Sequence, residues 1–170
     1  MRCGACEGGD CARWAGIALR RRLTMKAVLR WRVVRWVVLG VVVVLLGIQL
    51  VPVARSNPAV SGEVAASPEV RAILRRACYD CHSNQTTWPW YGRVAPVSWL
   101  LAYDVREGRR EVNFSTWDQY APAQRSKMMK ESIEQVDKGE MPPWYYVPMH
   151  KDARLTEQDR GVLRAWGVGG

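Results

Sequence analysis

Histidine is scarce in this sequence: its 170 residues contain only two, His82 and His150. Neither a Ser/His/Asp set nor a pair of carboxylates at a recognisable spacing accompanies them, so side chains for general acid–base catalysis are few. Acidic residues are also in the minority, with 16 Asp and Glu against 25 Lys and Arg. These scarcities argue against an enzyme that depends on its own acids and bases.

The excess of positive charge is concentrated at one end of the chain. Residues 1–35 carry a net charge of +7, whereas the other 135 residues carry only +2. A nucleic-acid-binding domain would spread basic residues over a folded surface, so we expect no nucleic-acid partner. An apolar content of 48% excludes a disordered chain.

A membrane segment follows the basic end. The run Trp36–Val53 has 18 residues, of which 14 are apolar and none is charged, and with residues 33–35 it reaches the length that spans a bilayer. Since no good cleavage site follows, we expect a retained anchor rather than a signal peptide. The predicted organisation is a cytoplasmic tail (1–32), an anchor (33–53), a linker (54–66) and an extracytoplasmic domain (67–170).

The domain opens with a helix that leads into a C-x-x-C-H motif. Ser67 and Pro68 are typical of a helix start, and the motif supplies Cys78, Cys81 and His82. This is the attachment signature of c-type haem: two thiols form thioethers with the porphyrin, and the histidine binds the iron. The sequence therefore predicts one covalently attached haem c.

Two other uses of the motif stay open. A thioredoxin-like thiol pair would need a strand before the motif, and none is indicated. A zinc site could draw on Cys78, Cys81, His82 and His150, which is a sufficient number of ligands. The three other cysteines, Cys3, Cys6 and Cys11, lie in the tail. We expect them to form no closed metal site.

Further motifs follow at specific spacings: Ser83-Asn84, then Trp-Pro-Trp-Tyr at 88–91, N-F-S-x-W at 113–117, Met-Pro-Pro at 141–143 and a last helix ending in Trp166. With the C-x-x-C-H, they resemble the haem-binding domain family of membrane-anchored bacterial proteins over roughly residues 67–166. The resemblance implies a monohaem c-type domain. We expect an all-α, cytochrome c-like fold of four to five helices, in which the first helix crosses the last and brings Leu74 near Trp166.

The sixth iron ligand has two main candidates, Met141 and His150, and Met149 is a weaker third. Met141 follows a predicted helix over 122–138 that Gly139 terminates, and two prolines after it stiffen the loop. His150 is the alternative, and Met/His ligation would give the higher reduction potential. We expect Met141 to be the ligand.

Aromatic residues near the motif are predicted to form the wall of the haem pocket. These residues are Trp88, Trp90 and Tyr91. Aromatic side chains bury large apolar areas and can therefore enclose an apolar cofactor. Arg93 is a weaker candidate for bonding a haem propionate.

The function that follows is a single-electron carrier of the bacterial inner membrane, with its haem domain on the periplasmic side. Its partner would be a redox protein or a membrane electron donor. A haem enzyme accessory or a gas or redox sensor with an exchangeable sixth ligand is the alternative, and an enzymatic activity of its own is the less favoured interpretation.

Overall fold

The computed structural model describes residues 10–168, and their side chains from Leu29 onwards. Cys3, Cys6 and the side chain of Cys11 lie outside the described residues, as does part of the predicted tail. The chain forms two compact units, residues 1–51 and 52–170. Each is described by itself below.

The described part of the chain is helical and contains no strand. Six α-helices occur in the order α1 (Asp10–Ile48), α2 (Pro68–Ala77), α3 (Tyr79–His82), α4 (Val97–Glu111), α5 (Pro122–Asp137) and α6 (Glu157–Val168). Short 3₁₀ turns cover Trp90–Arg93, Trp117–Gln119 and Lys151–Ala153. The predicted all-α fold is confirmed, with five of the six helices in the second unit.

In the first unit, the described residues form one long helix, α1, which ends in a turn after Ile48. Its segment Leu29–Ile48 has a mean hydropathy of 2.1 over 20 residues, and its side chains are exposed. A helix of this length and composition could span a membrane. The apolar segment ends at Ile48, five residues before the predicted end of the anchor.

Local signals explain where the helices of the second unit begin and end. The hydroxyl of Ser67 accepts a hydrogen bond from the Val70 amide at the start of α2. At the start of α6, Asp159 and Thr156 cap each other's backbone amides. After α5, Gly139 adopts φ = +75°, a left-handed conformation that glycine reaches without a steric penalty.

The core lies where α2, α5 and α6 pack around the segment 112–117. Its fully or nearly buried side chains include Val70, Ile73, Leu74, Phe114, Trp117, Met129 and Leu163. Helices α2 and α6 contact each other directly, as predicted, and Arg76 of α2 forms an ion pair with Asp159 of α6 at 2.6 Å. Leu74 and Trp166 line the same cavity between these helices.

The segment predicted to be a linker, residues 54–66, is packed on the domain. Val64 is 2% exposed and belongs to the core. The amides of Ser61 and Gly62 donate to the carbonyl oxygen of Ser115, and the Trp117 amide donates to the carbonyl oxygen of Gly62. Its small and polar composition looked like that of a tether, but its backbone supplies hydrogen bonds that the domain uses.

Candidate functional site

The C-x-x-C-H motif lies at a junction between two helices. Cys78 ends α2, where its amide donates to the Leu74 carbonyl oxygen, and it also starts α3, where its carbonyl oxygen accepts from the amide of His82. The one-turn helix α3 then contains Cys81 and His82. The motif places the two thiols and the imidazole within five consecutive residues at this junction.

The His82 imidazole is fixed by backbone carbonyl oxygens. Its Nδ1 lies 2.9 Å from the carbonyl oxygen of Gly108 and 3.3 Å from that of Val112. A carbonyl can only accept, so Nδ1 carries the proton and Nε2 has a free lone pair. Burial lowers the pKa of His82, which favours the neutral form that binds metals.

A glycine makes this contact possible. A Cβ added at Gly108 would lie 2.6 Å from the carbonyl oxygen of Cys81, closer than two such atoms can approach. Helix α4 therefore packs against the motif backbone only because residue 108 has no side chain. No motif in the sequence indicates this role of Gly108.

A buried polar network supports the motif from behind. The Phe114 amide donates to the His82 carbonyl oxygen at 2.8 Å. The Asn113 side chain donates to Oδ1 of Asn84, and the Ser115 hydroxyl accepts from the Asn84 amide. This network joins the Ser-Asn pair after the motif to the N-F-S-x-W segment. The sequence predicts no role for either segment, although each contains one Asn and one Ser, at 83–84 and 113–115.

A cavity of about 480 Å³ opens beside the motif, within the size range of cofactor sites. Its lining is mainly apolar and includes Leu74, Cys78, His82, Phe114, Met128, Val136, Met141, Leu163 and Trp166. The cavity brings together one motif thiol, the oriented imidazole and the predicted sixth ligand.

Cys81 lines a second, smaller cavity of about 160 Å³. Its lining shares Ala77, His82, Glu111 and Met141 with the larger cavity. The two cavities therefore adjoin around His82, with Cys78 lining the larger one and Cys81 the smaller. This arrangement fits a flat group attached at both thiols and held by a central imidazole.

Neither alternative use of the cysteines is favoured by their surroundings. Burial raises the pKa of both the Cys78 and Cys81 thiols to about 12, whereas a redox-active thiol pair needs a lowered pKa. Within residues 29–168, no group of three or more His, Cys, Asp or Glu side chains is placed to bind a metal ion. The four ligands considered for zinc therefore do not converge.

The two candidate sixth ligands lie in different places. Met141 lines both cavities that contain His82. His150 lines neither. It stacks on Tyr146 with ring centroids 3.9 Å apart, and its Nε2 is 3.2 Å from the Tyr91 hydroxyl.

The three aromatic residues predicted to form the pocket wall and Arg93, the candidate for bonding a haem propionate, lie outside the cavity that contains Cys78 and His82. Trp88 lines a groove with residues 52–56, Tyr91 lines a cavity on the far side of Cys81, and Trp90 and Arg93 are exposed. The wall is built instead by residues of α2, α5 and α6. A loop that is close to the motif in the sequence can cover either face of the motif, so sequence distance does not determine which residues line the cavity.

A family model described as a haem-binding domain matches residues 43–168. The match covers most of the chain and includes every residue of the two cavities. No curated protein and no solved structure matches the chain significantly.

Proposed function

Because the chain belongs to the haem-binding domain family, we propose that it carries one haem c, attached through thioethers to Cys78 and Cys81, and transfers single electrons. His82 would be the proximal ligand of the iron and Met141 the distal one. The bound haem supplies a one-electron iron couple.

One observation carries this proposal: Cys78, His82 and Met141 line a single apolar cavity, and Cys81 adjoins it. The hydrogen bond from His82 Nδ1 to the Gly108 carbonyl oxygen fixes the tautomer and the plane of the ring. Such a bond also raises the basicity of the ligating nitrogen. The wall of this cavity thus includes two side chains of the types that bind haem iron, an imidazole and a thioether.

The polypeptide around the cavity has two further tasks. The apolar side chains of α2, α5 and α6 exclude water from the cofactor, which lowers the local dielectric constant and tunes the reduction potential. Pro142 and Pro143 follow Met141 and restrict the backbone that presents the thioether. If His82 and Met141 both bind the iron, no position would be left for an exchangeable ligand, which suits an electron carrier.

We further propose that the helix segment Leu29–Ile48 anchors the protein in the inner membrane of a bacterium. Basic residues precede this segment and would keep the N-terminal end in the cytoplasm. The haem domain would then lie on the periplasmic side, where an electron donor in the membrane and a redox protein are both within reach.

Haem staining of the full chain on a denaturing gel tests the attachment, because only covalently bound haem survives denaturation. The chain should be expressed in a bacterium that matures c-type cytochromes. We expect a stained band at the mass of the chain, and its loss in the double variant Cys78→Ala/Cys81→Ala. Cys11→Ala, outside the motif, is the matched control and should stain normally. An unstained wild-type band, with haem recovered only by extraction, would contradict covalent attachment.

A further inference from the structure

A third cavity, of about 320 Å³, lies on the other side of Cys81. Its walls include the apolar side chains of Pro89, Val97, Leu100, Leu101, Val105 and Met149. It shares Asp80, Cys81, Asp104, Tyr145 and Tyr146 with the small cavity next to His82. These shared residues form the wall between the third cavity and the proposed haem site.

The rim of this cavity is apolar and faces solvent. Val97 is 41% exposed, Leu100 45% and Met149 62%. Contiguous apolar side chains at the mouth of an apolar cavity mark a place where an apolar molecule enters. The occupant should therefore have an apolar body.

Polar groups line the same cavity in hydrogen-bonded pairs. The Tyr91 hydroxyl lies 3.2 Å from Nε2 of His150, whose Nδ1 is 3.2 Å from the Tyr146 carbonyl oxygen. A carbonyl accepts, so Nδ1 is the donor there and Nε2 accepts from Tyr91. The Tyr145 hydroxyl donates to Asp104 at 3.2 Å, and that of Tyr146 donates to Asp80 at 2.6 Å. The hydrogen bonds with donor–acceptor distances of 3.2 Å are long. A ligand hydroxyl can form a further hydrogen bond to these groups or replace one of the two partners.

The charges of the lining select the kind of polar group. Two carboxyl groups, of Asp80 and Asp104, line the cavity, and no Lys or Arg is among its lining residues as far as the structure describes them. An anionic ligand would be repelled, whereas a neutral hydroxyl can donate to a carboxylate or to an imidazole nitrogen. Tyrosine and histidine rings on the wall offer stacking surfaces for an aromatic ring.

We infer that this cavity binds a neutral hydroxylated aromatic ring of the quinol headgroup class, with its ring among Val97, Leu100 and Leu101 and a hydroxyl at Tyr91 and His150. The site would place the ring beside Cys81. The role of this ligand as an electron donor rests on the proposed function. Its binding to the cavity does not.

Binding of 2,3,5-trimethylphenol, a single-hydroxyl mimic of such a ring, tests this inference. The full chain in lipid nanodiscs is dialysed to equilibrium against the phenol, and the uptake of empty nanodiscs is subtracted. Leu100→Trp should fill the mouth and weaken binding about tenfold or more. Tyr91→Phe removes one hydroxyl and should weaken it roughly two- to tenfold.

Val94→Trp is the matched control, because Val94 is also exposed, at 47%, and lines none of the three cavities. It should bind like the wild type. The inference is overturned if the wild type does not bind, if Leu100→Trp binds normally, or if 1,2,4-trimethylbenzene binds as tightly as the phenol. Haem staining of the same preparations separates the outcomes: a stained protein that binds no phenol contradicts this inference alone, and an unstained one that binds it contradicts only the proposed function.

Discussion

Nδ1 of His82 and the carbonyl oxygen of Gly108 lie 2.9 Å apart, and their hydrogen bond ties the C-x-x-C-H turn to α4. The same glycine lets the helix approach the Cys81 backbone. Orientation of the proposed iron ligand and packing of α4 therefore depend on one residue without a side chain.

Gly108→Ala should lower stability by about 1–3 kcal/mol, because the new methyl group overlaps the Cys81 carbonyl oxygen and must push α4 away. It should also reduce the fraction of protein that holds haem. Urea unfolding and the ratio of haem to protein absorbance measure the two effects. Gly161→Ala in α6 is the control: a Cβ there meets no atom within 4 Å, so we expect a gain of roughly 0.5–1 kcal/mol from helix propensity. Equal effects of the two substitutions would contradict the packing role of Gly108.

Met141→Ala should lower the reduction potential, since loss of a thioether ligand removes the contribution that Met/His ligation makes within the roughly 0.8 V range set by axial ligands. The reduced variant should bind carbon monoxide rapidly, whereas the wild type should not. Redox titration and CO difference spectra provide the measurements. His150→Ala and Met149→Ala are the comparisons, and both should keep the potential of the wild type. A wild-type potential in Met141→Ala, with a changed one in His150→Ala, would assign the ligand to His150 instead.

Asn84→Ala and Asn113→Ala should each destabilise the domain by about 1–3 kcal/mol, because each leaves a buried hydrogen-bonding group without its partner. The double variant should cost less than the sum of the two, since the Asn113 side chain donates to the Asn84 side chain. Urea unfolding of the three variants forms the double-mutant cycle. Strict additivity would show that the two residues act independently.

Acid should weaken the contact between α2 and α6. The hydrogen bond from Arg76 lowers the pKa of Asp159 from 3.8 to about 2. Above about pH 4 the carboxylate is ionised in both the folded and the unfolded chain, and its stabilising effect is complete. Between pH 4 and 2 the unfolded chain takes up a proton that the folded chain does not, so stability falls with pH.

Thermal unfolding of the wild type and Asp159→Asn between pH 2 and 5 checks this. The variant should be less stable at neutral pH and should lose less stability over the acid range. Asp152→Asn, which changes an exposed carboxyl group, should follow the wild type. A wild-type pH dependence in Asp159→Asn would show that other carboxyl groups dominate.

Helix positions could be predicted because their signals are local. Ser67 before α2 and Gly139 after α5 act within a few residues of themselves, and the structure confirms both. The spacing of Trp99 and Tyr103 is also that of a helix, and both lie in α4, but this spacing does not indicate that both side chains are exposed.

The site could be predicted only where one motif contains it. Cys78, Cys81 and His82 are close in sequence, so their grouping follows from the turn they form. Gly108 and Asn113 reach the motif through tertiary packing, which periodicity does not report. For the same reason, the placement of Tyr91 and His150 in a separate cavity required the folded structure.

The pairing of residues 61–62 with Ser115 sets different tolerances for changes in chain length on its two sides. An inserted or deleted residue between Gly62 and Ser67 would move Val64 out of the core or break the register of the backbone hydrogen bonds. Between Ile48 and Arg55 the number of residues can vary without moving Val64 out of the core or breaking the register of these hydrogen bonds. Natural variation in the length of this region should therefore fall before Arg55, and a flexible spacer added to extend the reach of the haem domain belongs there.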